Sequence, residues 1–227
     1  MLRRLSLTML CAGALAALLS CGTKRQTVRM EPAEQMDRGR EYFQAGKYEE
    51  AADDFRDVVF NNAGTRIAAD ASFLLAECHF NRTSYEEAHE SYLQFLADYP
   101  AAARADEAQI RVAECLLRLS PHHALDQRET GEKALAAITV FFERHPDSQL
   151  ADRARTVRTA IQEKLAQKDY EAGAFYAKRR QYRSARIYLE GVVADYTETS
   201  WASRARALLA TLPAAPDSTA APGGAGK

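Results

Sequence analysis

The residue types best suited to chemistry stand together at His122, His123, Asp126 and Glu129, two imidazoles and two carboxylates in one short stretch. Such a set could coordinate a divalent ion, or build a metal-assisted hydrolase, if a second pair of ligands approached it. No second pair is evident, and Asp126 stands where a helix would start, so the stretch reads as a polar connection. No metal and no other cofactor is expected. Cys78 and Cys115 each occur within Ala-Glu-Cys. A nucleophilic cysteine needs a base in a pocket, and no motif marks one here. Their matching surroundings point instead to small apolar groups buried at equivalent helix contacts. No catalytic residue is expected, and the chain reads as a non-enzyme.

Cys21 is different, because its chemistry is set by what precedes it. Arg3 and Arg4 form a short positive region and Leu5 to Leu19 an apolar run, which together read as a secretory signal peptide over 1–20. The run is too short and too alanine-rich for a span, which needs roughly 20 strongly apolar residues. Leu18, Leu19, Ser20 and Cys21 resemble the bacterial lipobox, in which the cysteine is acylated and becomes the new N-terminus. Acyl chains there would anchor the protein stably, since two membrane signals suffice. Gly22, rather than aspartate, after the cysteine resembles lipoproteins sent on to the outer membrane. The polar stretch that follows, within 21–32, reads as a linker.

Charge excludes one broad class of partner. The chain has 30 basic and 31 acidic residues, and loss of Arg3 and Arg4 with the signal leaves it nearly balanced. Nucleic acid usually demands a clustered basic excess, so none is expected as a partner.

Internal repetition then organises the rest. Gly39, Tyr42, Phe43, Gly46, Tyr48, Ala51, Phe55 and Val58 recur 37 residues later as Ala76, His79, Phe80, Thr83, Tyr85, Ala88, Tyr92 and Phe95. A third copy carries Ala113, Leu116, Ala134, Ile138 and Phe142, and a fourth Gly173, Tyr176, Tyr182, Ala185, Leu189 and Val193. Small residues mid-helix let a second helix approach, and aromatics at helical spacing fill the space between. Such a unit cannot bury its apolar face alone and must stack. Ala45-Gly46-Lys47, Tyr99-Pro100 and His145-Pro146 read as breaks, and Asp147-Ser148 and Thr199-Ser200 as caps. Leu150 to Arg180 reads as one long helix. The expected fold is all-α, an α-solenoid of about five helix hairpins over 33–212. The fifth keeps only its first helix, from Trp201 through Leu212, and the Pro- and Gly-rich 213–227 reads as a disordered tail.

These units resemble the tetratricopeptide repeat. Together with the lipobox, the long third connection holding Ser120-Pro121 and Leu125-Asp126-Gln127, and the element His145-Pro146-Asp147-Ser148-Gln149, they resemble the BamD family, the lipoprotein subunits of the outer-membrane β-barrel assembly machinery. The resemblance covers roughly Met36 to Leu212. It implies a periplasm-facing, outer-membrane scaffold that binds C-terminal segments of unfolded barrel proteins and docks on the barrel subunit BamA. A cell-envelope adaptor, pilotin-like or coordinating peptidoglycan, is the alternative.

Stacked hairpins offer a surface lined by the first helix of each unit. The repeat register puts Met36, Arg40, Phe43 and Gln44 on it in unit one, and Phe73, Glu77, Phe80 and Asn81 in unit two. Aromatic, basic and amide groups together suit an extended peptide. Farther on, Arg153, Arg155, Arg158, Lys164, Lys178, Arg179, Arg180, Arg183 and Arg186 bias the array to positive. Charge runs are commonly solvated helix faces. By the resemblance, Lys178, Arg179, Arg180, Arg183 and Arg186 would dock on acidic groups of the BamA-like subunit.

Overall fold

The computed structural model describes residues 30–120 and 128–213. The signal peptide, Cys21, most of the linker, His122, His123, Asp126 and the tail after Pro213 lie outside the described residues. Among the described residues every regular element is an α-helix, nine in all. They are α1 (Pro32–Gln44), α2 (Tyr48–Asn61), α3 (Arg66–Asn81), α4 (Tyr85–Asp98), α5 (Ala105–Leu119), α6 (Arg128–Arg144), α7 (Ala151–Lys178), α8 (Tyr182–Asp195) and α9 (Ser200–Thr211). Each packs on the next, and α1 on α3, α5 on α7 and α7 on α9 add the next-but-one contacts of a stacked array.

The first unit shows why its residues form a hairpin. Gly39 has no side chain, and Phe55 of α2 occupies the space: a Cβ there would lie 2.7 Å from the ring. Gly173 receives Leu189 of α8 in the same way, its absent Cβ 2.7 Å from the leucine Cγ. Ala76 and Ala113 on first helices, and Ala51, Ala88, Ala134 and Ala185 on second helices, are completely buried. The small-residue slots expected from the repeat are thus the helix crossings. Four apolar clusters follow one another along the chain, centred on Phe55, on Phe73 with Tyr92 and Phe95, on Ile138 with Phe141, and on Leu189 with Val192. Every cluster draws on neighbouring units, so the core is continuous although no unit owns it.

The turns inside the first, second and fourth hairpins repeat one geometry. Gly46, Thr83 and Arg180 all take positive φ, at 74°, 63° and 60°. In each case the next amide bonds back five residues, Lys47 to Tyr42, Ser84 to His79 and Gln181 to Tyr176. This is the left-handed helix stop, which glycine accommodates without strain and threonine or arginine does not. The following aromatic folds back: Tyr48 meets Phe43 edge-on at 5.3 Å and Tyr85 meets Phe80 at 5.4 Å. Between units, the Thr65 and Thr199 hydroxyls cap α3 and α9 by accepting from Ala68 and Ala202. The expected long helix is α7, 28 residues, about 42 Å at 1.5 Å per residue. It packs on α5, α6, α8 and α9, joining the third unit to the fifth.

Candidate functional site

The outward stripe of α3 differs from the expected one by about one residue. Phe73 lies in the core, edge-on to Tyr92 at 5.7 Å and to Phe95 at 5.5 Å, because α3 must turn this position toward its hairpin partner. The face it presents instead runs through Asp70, Leu74, Glu77 and Asn81, the helical i, i+4, i+7, i+11 series. On α1 the corresponding stripe is Ala33, Asp37, Arg40 and Gln44. These stripes frame an open cleft of about 480 Å³, lined by Arg40, Phe43, Gln44, Asp70, Leu74 and Arg104. A smaller hollow of about 200 Å³ continues it past Arg40 and Asp70, and reaches Met36, itself almost fully buried. The unit-one candidates Met36, Arg40, Phe43 and Gln44 are therefore brought together.

Of the unit-two candidates, Glu77, Phe80 and Asn81 are already engaged. The Glu77 carboxylate, 6% exposed, accepts from Arg111 Nε and Nη2, both at 2.8 Å, and from the Tyr92 hydroxyl at 2.5 Å. The Arg111 guanidinium also covers the Phe80 ring, 4.4 Å from its centroid, and Asn81 donates to the Glu77 carbonyl. Burial pulls the Arg111 charge down, and the surrounding groups, Glu77 foremost with Tyr92 and Glu114, together more than offset it, leaving its pKa raised. From there a polar ladder crosses the array. Arg111 reaches Glu114 at 3.0 Å, Arg153 of α7 holds Glu114 at 3.0 Å and Glu107 at 3.3 Å, and Arg104 holds Glu107 at 2.9 Å. Farther along, Glu163 of α7 accepts from the amide and hydroxyl of Ser200 at 2.6 and 2.9 Å, at the start of α9.

The ladder joins α3, α5, α7 and α9 but stops short of α1. Gln35 and Arg38 tie α1 to Asp57 and Asp54 of α2 instead. Among the described residues no side-chain hydrogen bond or ion pair joins α1 to α3 directly. The cleft lies at this unstrapped boundary, with an apolar floor of Phe43 and Leu74 between charged walls. Arg104 reaches it from the third unit and is held in place, its guanidinium stacked 3.5 Å over the Phe73 ring. Such a wall offers a fixed donor fork for carboxylate or peptide oxygens.

At the other end, the basic residues divide into two sets. Arg153 serves the ladder, Arg155 pairs with Asp152, Arg158 covers the Phe142 ring, and Lys164 donates to the Ser120 carbonyl at 2.7 Å. Burial lowers the Lys164 pKa. Lys178, Arg179, Arg180 and Arg183 cluster exposed at the α7–α8 elbow. Arg186 departs from them: it turns inward and donates to the Leu212 and Pro213 carbonyls at 3.1 and 3.0 Å. Beside the elbow, Arg179 stacks over half-exposed Phe175, and Ile187 is 64% exposed. The elbow is therefore cationic with apolar neighbours.

Residues 29–215 match a family model described as YfiO, outer membrane lipoprotein. The chain belongs to the YfiO family. A Caulobacter vibrioides protein named outer membrane protein assembly factor BamD is 26% identical over 162 residues, 71% of this chain and 53% of the relative. The chain thus spans about half the length of that curated relative. Membership of the YfiO/BamD family makes this an outer-membrane lipoprotein, as the lipobox resemblance implied.

Two other features of this YfiO-family chain bear on chemistry. Cys78 and Cys115 are free and fully buried, each in a different apolar cluster. Burial, helped by neighbouring Glu77 and Glu114 respectively, pushes both thiols up to about 12. Among the described residues no group of three His, Cys, Asp or Glu could hold a metal, and Glu129 pairs with Lys133 at 2.7 Å. Sequence reasoning missed Asp70, Leu74 and Arg104. Asp70 and Leu74 carried a signal, the helical series through Glu77. Arg104 carried none, for it sits in an inter-unit turn that the repeat pattern does not constrain.

Proposed function

We propose that this YfiO-family lipoprotein works in the assembly of outer-membrane β-barrel proteins, holding an extended segment of an unfolded client in the α1–α3 cleft. The observation that carries this reading is the cleft: an apolar floor of Phe43 and Leu74, flanked by Arg40, Gln44, Asp70 and Arg104, at the one first-helix boundary the polar ladder leaves open. An extended peptide needs apolar seats for alternate side chains and polar partners for its backbone or terminal carboxylate, and this set supplies both. A photo-crosslinking residue at Gln44 should capture C-terminal segments of unfolded barrel proteins, and one at Gln94 on the outer side of α4 should not. Equal capture at both positions would remove the cleft from the proposal.

The second part of the reading is docking on a BamA-like subunit through the α7–α8 elbow. Arg180 favours it: an arginine occupies a left-handed turn position where Gly46 would be the unstrained choice, and retained strain points to a use for the side chain. Lys178, Arg179 and Arg183 add charge for acidic partners, and Phe175 and Ile187 add apolar area. Reversal of Arg179, Arg180 and Arg183 to Glu should abolish co-purification with that subunit while the helical signal persists. Co-purification at the wild-type level would rule this face out.

A further inference from the structure

We propose that the edge of the array carrying Phe60 rests on a phospholipid bilayer, with the Phe60 ring entering the headgroup region. The inference rests on the reading that Cys21 is acylated. Phe60, on the last turn of α2, is 84% exposed, the most exposed large hydrophobic residue among those described. Its position is set by the first hairpin: Gln35 donates to Asp57 at 3.2 Å, so the end of α2 lies beside the start of α1. Phe60 and Pro32 therefore share one end of the array. Ten residues lie between Cys21 and Pro32, and the eleven steps from one to the other span at most about 38 Å when fully extended.

The rest of that edge suits the same surface. The turns Asn62 to Thr65 and Tyr99 to Arg104 face one another across a hollow of about 430 Å³. The first contains no charged residue and the second only Arg104, whose guanidinium is stacked over the Phe73 ring, and Ala63, Pro100, Ala101 and Ala103 are exposed. Of the nearby carboxylates, Asp57 is held by Gln35 and Asp98 by Gln94, and exposed Asp70 lines the hollow on its α3 side. Turns on the opposite edge instead hold Lys47, Arg82, Arg179 and Arg180. Inter-unit turns farther from Pro32 carry acidic residues, Asp147 and Glu198, whereas the two turns nearest Pro32 hold no carboxylate.

An aromatic ring is favoured at a membrane interface, and turns without carboxylates escape the cost of desolvating anions there. Arg66, just after the first turn, and Arg56, one turn before Phe60 and paired with Asp53, are exposed, and guanidinium groups suit lipid phosphates. One ring binds weakly by itself. A short tether supplies millimolar effective concentration, so a weak contact suffices to orient the first unit and its cleft.

The test uses the full acylated protein in phosphatidylethanolamine and phosphatidylglycerol vesicles, with an environment-sensitive dye on Phe60→Cys or, as reference, Thr83→Cys on the opposite edge. Cys78 and Cys115 are fully buried, so labelling is selective. Flotation with the vesicles is read first in the same samples and reports the anchor. Lipids carrying a nitroxide quencher should quench the dye at position 60 at least threefold more than at 83, with a blue-shifted emission only at 60. Flotation with equal quenching overturns the bilayer contact and leaves the anchor standing, the result expected if a protein partner or a second copy covers Phe60. Loss of flotation overturns the anchor and the contact with it.

Discussion

Glu77→Gln keeps the size of a side chain and removes the charge that ties the second unit to the third. Glu77 is 6% exposed, and the Arg111 side chain it faces is 19% exposed, so water screens the pair little. Removing one partner of a buried ion pair typically costs about 3 to 5 kcal/mol, because the other charge is left without compensation. Here Arg111 retains Glu114 through Nη1, and the glutamine carbonyl still accepts one hydrogen bond. Those residual contacts put the expected loss near the lower end, about 3 kcal/mol. That is a large share of the roughly 5 to 15 kcal/mol that stabilises a typical domain. Urea unfolding followed by the helical circular-dichroism signal measures it, with Arg111→Met and the double variant completing a cycle. The double variant should cost less than the sum of the singles by at least about 1 kcal/mol, since it leaves neither charge orphaned. In a stacked array the damage should also be local, with faster amide exchange in α3 and α5 than in α8. A loss below about 0.5 kcal/mol for Glu77→Gln, or additivity within about 0.5 kcal/mol, would refute the assignment of Glu77 and Arg111 as the strap.

Gly39→Ala should destabilise despite the better helix propensity of alanine. The new methyl would meet the fully buried Phe55 ring at 2.7 Å, and overpacking of about 1 to 3 kcal/mol exceeds the helix gain of about 0.5 to 1 kcal/mol. A thermal melt reads it, and a raised midpoint would contradict the packing argument. Thr83→Gly should raise stability by about 1 kcal/mol, since φ 63° strains a β-branched residue and suits glycine; a lower midpoint would contradict it. Stability should also fall on mild acidification. Burial lowers the His79 and His89 pKa values, with Arg56 and Arg82 adding to the effect at His79. As pH drops through the ordinary imidazole value of 6.5 the unfolded chain binds protons first, so this stability is complete above that value and is lost progressively below it. The melting midpoint should decline between pH 7 and pH 5, and His79→Gln with His89→Gln should flatten that decline; an unchanged slope would show that other groups cause it.

The helical architecture was legible because repetition exposes it. Gly39, Ala76, Ala113 and Gly173 could be aligned from residue size alone, and each proved to be a close crossing or a fully buried contact. The turns were legible at Gly46 and at Tyr99-Pro100, where backbone chemistry leaves few options. Side-chain roles were harder. Phe73 and Leu74 are adjacent apolar residues on one helix, and a rotation of about 100° per residue decides which is core and which lines the cleft. Glu77 looked like a ligand-binding carboxylate, and only the arrival of Arg111, 34 positions later, turned it into a strap. Arg186 looked like one more exposed cation until the Leu212 carbonyl was found beside it.

By itself, the sequence determined the repeat, the helical class and the burial of Cys78 and Cys115. These rest on local rules: residue volume, helical period and backbone restriction act within a few positions of one another. The tertiary structure alone decided where the ladder runs, where it stops, and hence where a cleft can open. It also decided that Arg104 belongs with Phe43 and that Phe60 shares an end with Pro32. Such facts depend on residues brought together from different helices by packing, and no short-range rule in a sequence carries that distance.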